Sequence, residues 1–302
     1  MALMNVDLGG LSMKNPVTVA SGTFAAGREY ADFVDVAKLG AVTTKGVSLN
    51  GWEGNPGVRI AETPSGILNS IGLQNPGVEH LKEHDLPWLS GQGATVIVNV
   101  SGHSVQEYVS VIEALEESPV GAYEINISCP NVDAGGMAMG CSCASVEEVV
   151  GRCRTATERP LIVKLTPNVT DITEIARAAE ASGADALSLI NTLLGMAVDI
   201  RTRRPVFSRV VGGLSGPAVR PVALRMVWQC SGAVSIPLLG MGGIATAEDA
   251  ISFMLAGATA VAVGTANFAD PHAAADVVDG IQAWCEEEGV EDVNELIGGL
   301  IC

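Results

Sequence analysis

The feature that most limits how this chain can fold is a recurrence. Short, β-rich apolar runs return along the 302 residues at 17–20, 41–44, 95–100, 123–127, 161–165, 186–190, 237–240 and 260–263. Their apolarity is continuous rather than alternating, which marks strands covered on both faces. Between them lie amphipathic segments at 105–117, 145–157, 171–181, 218–230, 246–256 and 272–288, each predicted to be helical. Ser104, Ser145 and Asp171 stand where N-caps belong, and Glu148 and Glu174 follow the last two at capping-box spacing. Gly183 and Gly257 stand where two of the helices should stop. Eight strands alternating with helices predict an α/β fold, a (β/α)8 TIM barrel. Ahead of the first strand, 6–8 and 11–13 flank Gly9-Gly10 and predict a β-hairpin across the barrel bottom.

Two connections exceed ordinary βα loops. Residues 47–76 follow the second strand and are dense in Gly, Asn and Pro; residues 193–217 follow the sixth and carry Arg201, Arg203, Arg204 and Arg209. With a Gly-rich stretch reaching Gly140 after the fourth strand, they read as long inserted loops covering a site. No repeat beyond the βα unit is visible, so one domain, 1–302, is expected.

Charge narrows the function. The chain has 17 Lys+Arg against 34 Asp+Glu, a net charge of −17, and no basic run. That argues against a nucleic-acid partner. The uncharged stretches 226–247 and 250–269 are broken by glycines and read as helix end, turn and buried strand rather than membrane spans. The opening residues lack the basic and apolar regions of a signal peptide. A cytoplasmic protein with no membrane contact is expected. Its seven cysteines are an odd number scattered over a large chain, so reduced thiols are expected. Cys141-Ser-Cys143 resembles half a metal site, but no second pair at ligand spacing follows, and no metal is expected.

In such a barrel, chemistry gathers where strands end. Polar or glycine residues fall there on every strand: Ser21, Lys45-Gly46, Asn99, Asn126, Lys164, Asn191-Thr192, Gly242-Gly243 and Gly264-Thr265. Lys45 and Lys164 are two of only five lysines, and both sit in or at the end of apolar strands. A buried ammonium needs compensation, from a carboxylate or from an anionic ligand; with few acids at the strand ends, the ligand is favoured. Gly240, Gly242 and Ala245 match a loose dinucleotide pattern, but on the seventh βα unit and without the acid a Rossmann site wants. Phosphate binding by the last two loops fits better. Cys129, just past the fourth strand beside Pro130, reads as a nucleophile or base rather than an inert thiol.

Two motifs carry a resemblance. Ala61-Glu-Thr-Pro-Ser-Gly-Ile-Leu-Asn-Ser-Ile-Gly-Leu-Gln-Asn-Pro-Gly77 and Asn126-Ile-Ser-Cys-Pro-Asn-Val132 resemble the dihydroorotate dehydrogenase family, its class 1B catalytic subunits in particular. The resemblance implies an FMN-containing barrel that oxidises dihydroorotate to orotate in pyrimidine synthesis. It implies that Cys129 removes the substrate's C5 proton. Lys45, Asn69, Ser70, Ile71, Gly72, Leu73, Asn126, Asn191 and Thr192 would hold substrate. Ser21, Lys45, Gly46, Asn99, Asn126, Lys164, Ile190, Gly216, Gly242, Gly243, Gly264 and Thr265 would hold FMN.

The resemblance further implies a homodimer, joined by an electron-transfer subunit with FAD and a 2Fe–2S cluster into a heterotetramer that passes electrons to NAD. The alternatives are a fumarate-linked class 1A enzyme, a dihydropyrimidine dehydrogenase-like flavin barrel, and a Schiff-base aldolase using Lys164. One departure stands out: where the family continues with polar and acidic residues after Gly140, this chain reads Cys-Ser-Cys-Ala.

Overall fold

The computed structural model describes residues 1–128 and 139–301. Its centre is an eight-stranded parallel sheet: β1 (Val17–Val19), β2 (Val42–Thr43), β3 (Val96–Val100), β4 (Ala122–Asn126), β5 (Leu161–Lys164), β6 (Ala186–Leu189), β7 (Leu238–Met241) and β8 (Ala260–Val263). Neighbours in sequence are neighbours in space, and β8 pairs β1 in parallel. Between β1 and β2 the seam is bridged by Gly40 N–H donating to Val17 O at 2.8 Å, and by the Thr18 and Thr43 hydroxyls 3.1 Å apart. The sheet is thus a nearly closed barrel. Every residue of these eight strands is buried, as strands that are mostly apolar on both faces require.

Helices Val105–Leu115, Cys143–Arg154, Ile172–Ala181, Arg220–Ser231, Ala247–Leu255 and Ala273–Glu288 follow strands three to eight and pack side by side outside the sheet. Ser104, Asp171 and Thr246 accept N–H bonds at three of their starts. The predicted Ser145 cap is corrected: the helix begins a turn earlier, and Ser142 is its cap, accepting from Ser145 N–H. Hairpin Val6–Leu8/Leu11–Met13 forms as expected. Its turn residue Gly9, at φ +65°, lies so close to the Asp185 backbone before β6 that a Cβ would collide with it. The hairpin therefore covers the end of the barrel where strands begin.

The long connections after β2 and β6 are not loops. Ile60–Thr63 and Gly66–Asn69 form an antiparallel pair, and Val211–Ser215 joins Gly66–Asn69 on one side and Leu193–Met196 on the other. One four-stranded antiparallel sheet is thus assembled from two segments far apart in sequence. Asn50–Trp52 and Asn75–Gly77 form a further pair at its root. The stretch after β4 falls outside the described residues, apart from a short turn at Met139–Cys141. No helix among the described residues is long and apolar enough to cross a membrane.

Candidate active site

Register decides which side chains meet. In the parallel ladders Asn99 of β3 lies opposite Glu124 of β4, Asn126 of β4 opposite Lys164 of β5, and Lys164 opposite Ser188 of β6. Glu124 and Asn126 share a face of β4, so they occupy successive inward layers. The outer layer opens into a cavity of about 510 Å³, a volume typical of small-molecule sites.

All the residues expected to bind substrate or cofactor line this one cavity. From the β1 and β2 ends come Ser21, Lys45 and Gly46, and from β3 to β5 Asn99, Asn126 and Lys164. Ile190, Asn191 and Thr192 follow β6, and Gly242, Gly243, Gly264 and Thr265 follow β7 and β8. Asn69 comes from the inserted sheet, and Ser70, Ile71, Gly72, Leu73 and Gly216 from the segments that leave its strands. Cys129 lies outside the described residues. Its neighbour Ser128 is on the wall, donating from Oγ to Asn126 Oδ1 at 2.6 Å and accepting from Asn191 Nδ2 at 2.5 Å.

Within the inserted sheet, Asn69 Nδ2 donates to Gly213 O at 3.2 Å. The sheet is joined to the loop after β8 by the Thr265 and Ser215 hydroxyls, 2.8 Å apart. Gly242 and Gly243 have φ of +129° and +78°, and a Cβ on Gly243 would sit 2.7 Å from Gly216 O. Only glycine lets these backbones approach one another so closely at the rim.

Three contributors escaped the sequence reading. Asn55, buried, donates to Ser70 O at 3.2 Å and Ser70 Oγ at 3.0 Å, while its N–H bonds Ile71 O at 2.9 Å. Arg59 in turn donates to Asn55 O at 2.6 Å, so this pair fixes the 70–72 segment from behind. Asn168 supports the other wall, donating to Thr192 O and accepting from Leu194 N–H, both at 3.0 Å. Nothing in the sequence separates these three side chains from ordinary loop residues.

Glu124 is a correction. Lys164 was expected to face an anionic ligand for want of nearby acids, yet Glu124 Oε2 lies 3.9 Å from its Nζ, with both side chains almost wholly buried. The signal was available: a lone acid two residues before Asn126 in an apolar run. Lys164 still lines the cavity, so it faces Glu124 on one side and the open site on the other.

Of the cysteines described, 141, 143, 153, 230 and 285 are free thiols. Burial pushes Cys153 up to about 12, and burial, with the Asp171 carboxylate adding to it, does the same for Cys230. Neither lines the cavity. No group of three His, Cys, Asp or Glu able to hold a metal occurs among the described residues.

Residues 3–284 match the family model described as dihydroorotate dehydrogenase. The chain belongs to the dihydroorotate dehydrogenase family. It is 57% identical over 297 residues, 98% of each chain, to "Dihydroorotate dehydrogenase B (NAD(+)), catalytic subunit" of Alkaliphilus oremlandii. Proteins of the same description from Bacteroides fragilis and Pelobacter propionicus are 54% and 53% identical over 99% of each chain. Membership in the dihydroorotate dehydrogenase family sets aside the aldolase reading of Lys164, since that lysine falls within the matched residues.

Proposed function

We propose that this chain is the catalytic subunit of a cytoplasmic, NAD-linked dihydroorotate dehydrogenase, a single-domain (β/α)8 TIM barrel that binds FMN and oxidises dihydroorotate to orotate in pyrimidine biosynthesis. The observation that carries this reading is convergence. Residues 67 and 69–73 of the first motif, Asn126 and Ser128 of the second and the strand-end residues line one cavity, in a chain that runs nearly the full length of relatives so named.

The residues suit FMN. The close-packed glycines 216, 242 and 243, with Gly264 and Thr265, offer backbone N–H groups and a hydroxyl suited to a phosphate. Lys164, Asn99 and Lys45 offer donors suited to the polar edge of the isoalloxazine ring. When bound, FMN supplies the two-electron acceptor for the hydride leaving C6 of the substrate. The Asn69, Asn126 and Asn191 amides, the Thr192 hydroxyl and the 70–73 backbone hold the substrate's carboxylate and ring amides. Lys45 adds a positive charge for that carboxylate. The Cys129 thiolate takes the C5 proton. The inserted sheet covers the site and limits access of water.

A homodimer completed by an electron-transfer subunit carrying FAD and a 2Fe–2S cluster goes with this reading, since no Cys spacing here suits such a cluster. An anaerobic visible spectrum of the purified chain, before and after dihydroorotate, tests it. A flavin band that bleaches on addition is expected, with no NADH formed until the partner subunit is present. A flavin that fails to bleach would overturn the substrate assignment, and a chain that cannot be loaded with FMN would overturn the whole reading.

A further inference from the structure

We propose that Glu124, buried beneath the cavity floor, holds down the reduction potential of the bound flavin by acting through Lys164. The inference rests on the FMN reading above. Glu124 has no exposed side-chain surface and does not itself line the cavity; it lies one inward layer below Asn126. Ser188 Oγ donates to its Oε1 at 2.7 Å, Asn99 Nδ2 donates to its Oε2, and Lys164 Nζ stands 3.9 Å from Oε2. These partners are all donors, so each carboxylate oxygen faces at least one of them.

Two of the three, Asn99 and Lys164, line the cavity where the flavin would sit. The carboxylate is therefore the layer behind the groups that would face the flavin's electron-rich edge. Reduction adds negative charge to that edge, and the Lys164 ammonium favours it. Glu124 opposes it twice: it shares the same ammonium, and its own charge repels the reduced ring across a poorly screened interior. A barrel core filled only by apolar side chains would avoid the desolvation cost of this pair. What the pair gives in return is a reduced flavin that gives up its electrons readily, as an enzyme passing them on to NAD requires. Glu124 is thus a positioning and tuning residue, not one that touches substrate.

The test is a spectroelectrochemical titration of the FMN-loaded protein. Glu124→Gln keeps the size and removes the charge; its amide oxygen still accepts, and the Ser188 hydroxyl can turn to accept from its NH2. The midpoint is expected to rise by the equivalent of at least about tenfold in the two-electron equilibrium, about 30 mV. Glu124→Asp keeps the charge but draws it back by one methylene, so a smaller rise, about threefold, is expected. A merely structural role would weaken FMN retention or lower the Tm without moving the midpoint. A loaded Glu124→Gln protein with the wild-type midpoint overturns the proposal. Should that variant fail to fold, Glu124→Asp decides: a rise supports the tuning role and an unmoved midpoint overturns it. A wild-type chain that takes up no flavin would overturn the functional reading, and this inference with it.

Discussion

Two kinds of thiol matter to the chemistry of this chain. Cys153 and Cys230 are packed inside helices against the sheet, and burial raises both to about 12, so at neutral pH they are protonated and unreactive. Cys129 directly follows Ser128, whose hydroxyl is bonded to Asn126 and Asn191 on the cavity wall. If its thiolate is the base, flavin reduction by dihydroorotate should speed up as pH rises toward the ordinary thiol value of about 8.5. Cys129→Ser replaces it with a group that ionises far higher. The half-reaction, followed anaerobically by stopped flow, is expected to slow by roughly 10²–10⁴-fold at neutral pH and to keep climbing at more alkaline pH. An unchanged rate would remove Cys129 from the chemistry.

Among the elements, what could be read from the sequence was what is buried on both sides. Strands β3 to β8 announce themselves because every residue in them is covered, leaving runs that are mostly apolar on both faces. Glu124 was hidden inside one of those runs, where a single acid looked like noise. The inserted sheet was illegible for the opposite reason. Its strands are short, glycine-rich and half-exposed, and Gly66–Asn69 finds its partner Val211–Ser215 only across the intervening barrel. Pairings of that range leave no local periodicity. The Ser142 cap was missed because Ser142 and Ser145 both precede apolar positions, and only the backbone says which is first.

The sheet depends on close backbone approach, most tightly at Gly66. A Cβ on Gly66 would run into Ser215 O, and neither backbone can yield without opening the ladder between the two inserts. Gly66→Ala should loosen both inserts together and leave the barrel beneath intact. Limited trypsin digestion is expected to cut faster at Arg201–Arg209, with a main melting transition lowered by no more than about 2 °C, the effect of a perturbation under ~1 kcal/mol in a domain of this size. Cleavage as slow as in wild type would mean that the two inserts hold independently.

At the scale of the whole molecule, charge sets the conditions of stability. A net charge of −17 repels itself at neutral pH, although the two inserts run the other way: Arg59, Arg201, Arg203, Arg204 and Arg209 outnumber Glu53, Glu62 and Asp199. Against that repulsion stand carboxylates that folding makes more acidic. Asp171 is lowered by the Thr173 hydroxyl and N–H, Glu180 by the Ser235 hydroxyl and N–H, and Asp199 by the Arg201 and Thr202 N–H groups. Glu248 is lowered by the Thr246 hydroxyl, and Asp270 by the His272 N–H. Each contributes stability that is full above the unfolded carboxylate range of about 3.9–4.3 and is lost as pH falls through its lower folded value. The two effects have different windows. Between neutrality and about pH 5 the repulsion eases while these carboxylates stay ionised in both states; below about pH 4 their contribution drains away. The Tm measured by calorimetry is therefore expected to rise from pH 8 to a maximum near pH 5–6 and to fall steeply below 4. Adding about 0.5 M NaCl should raise it at pH 8, where screening relieves the repulsion, and do little near pH 5. A Tm that falls with salt at pH 8 would mean that attractive surface pairs such as Lys38–Asp279 outweigh the net repulsion.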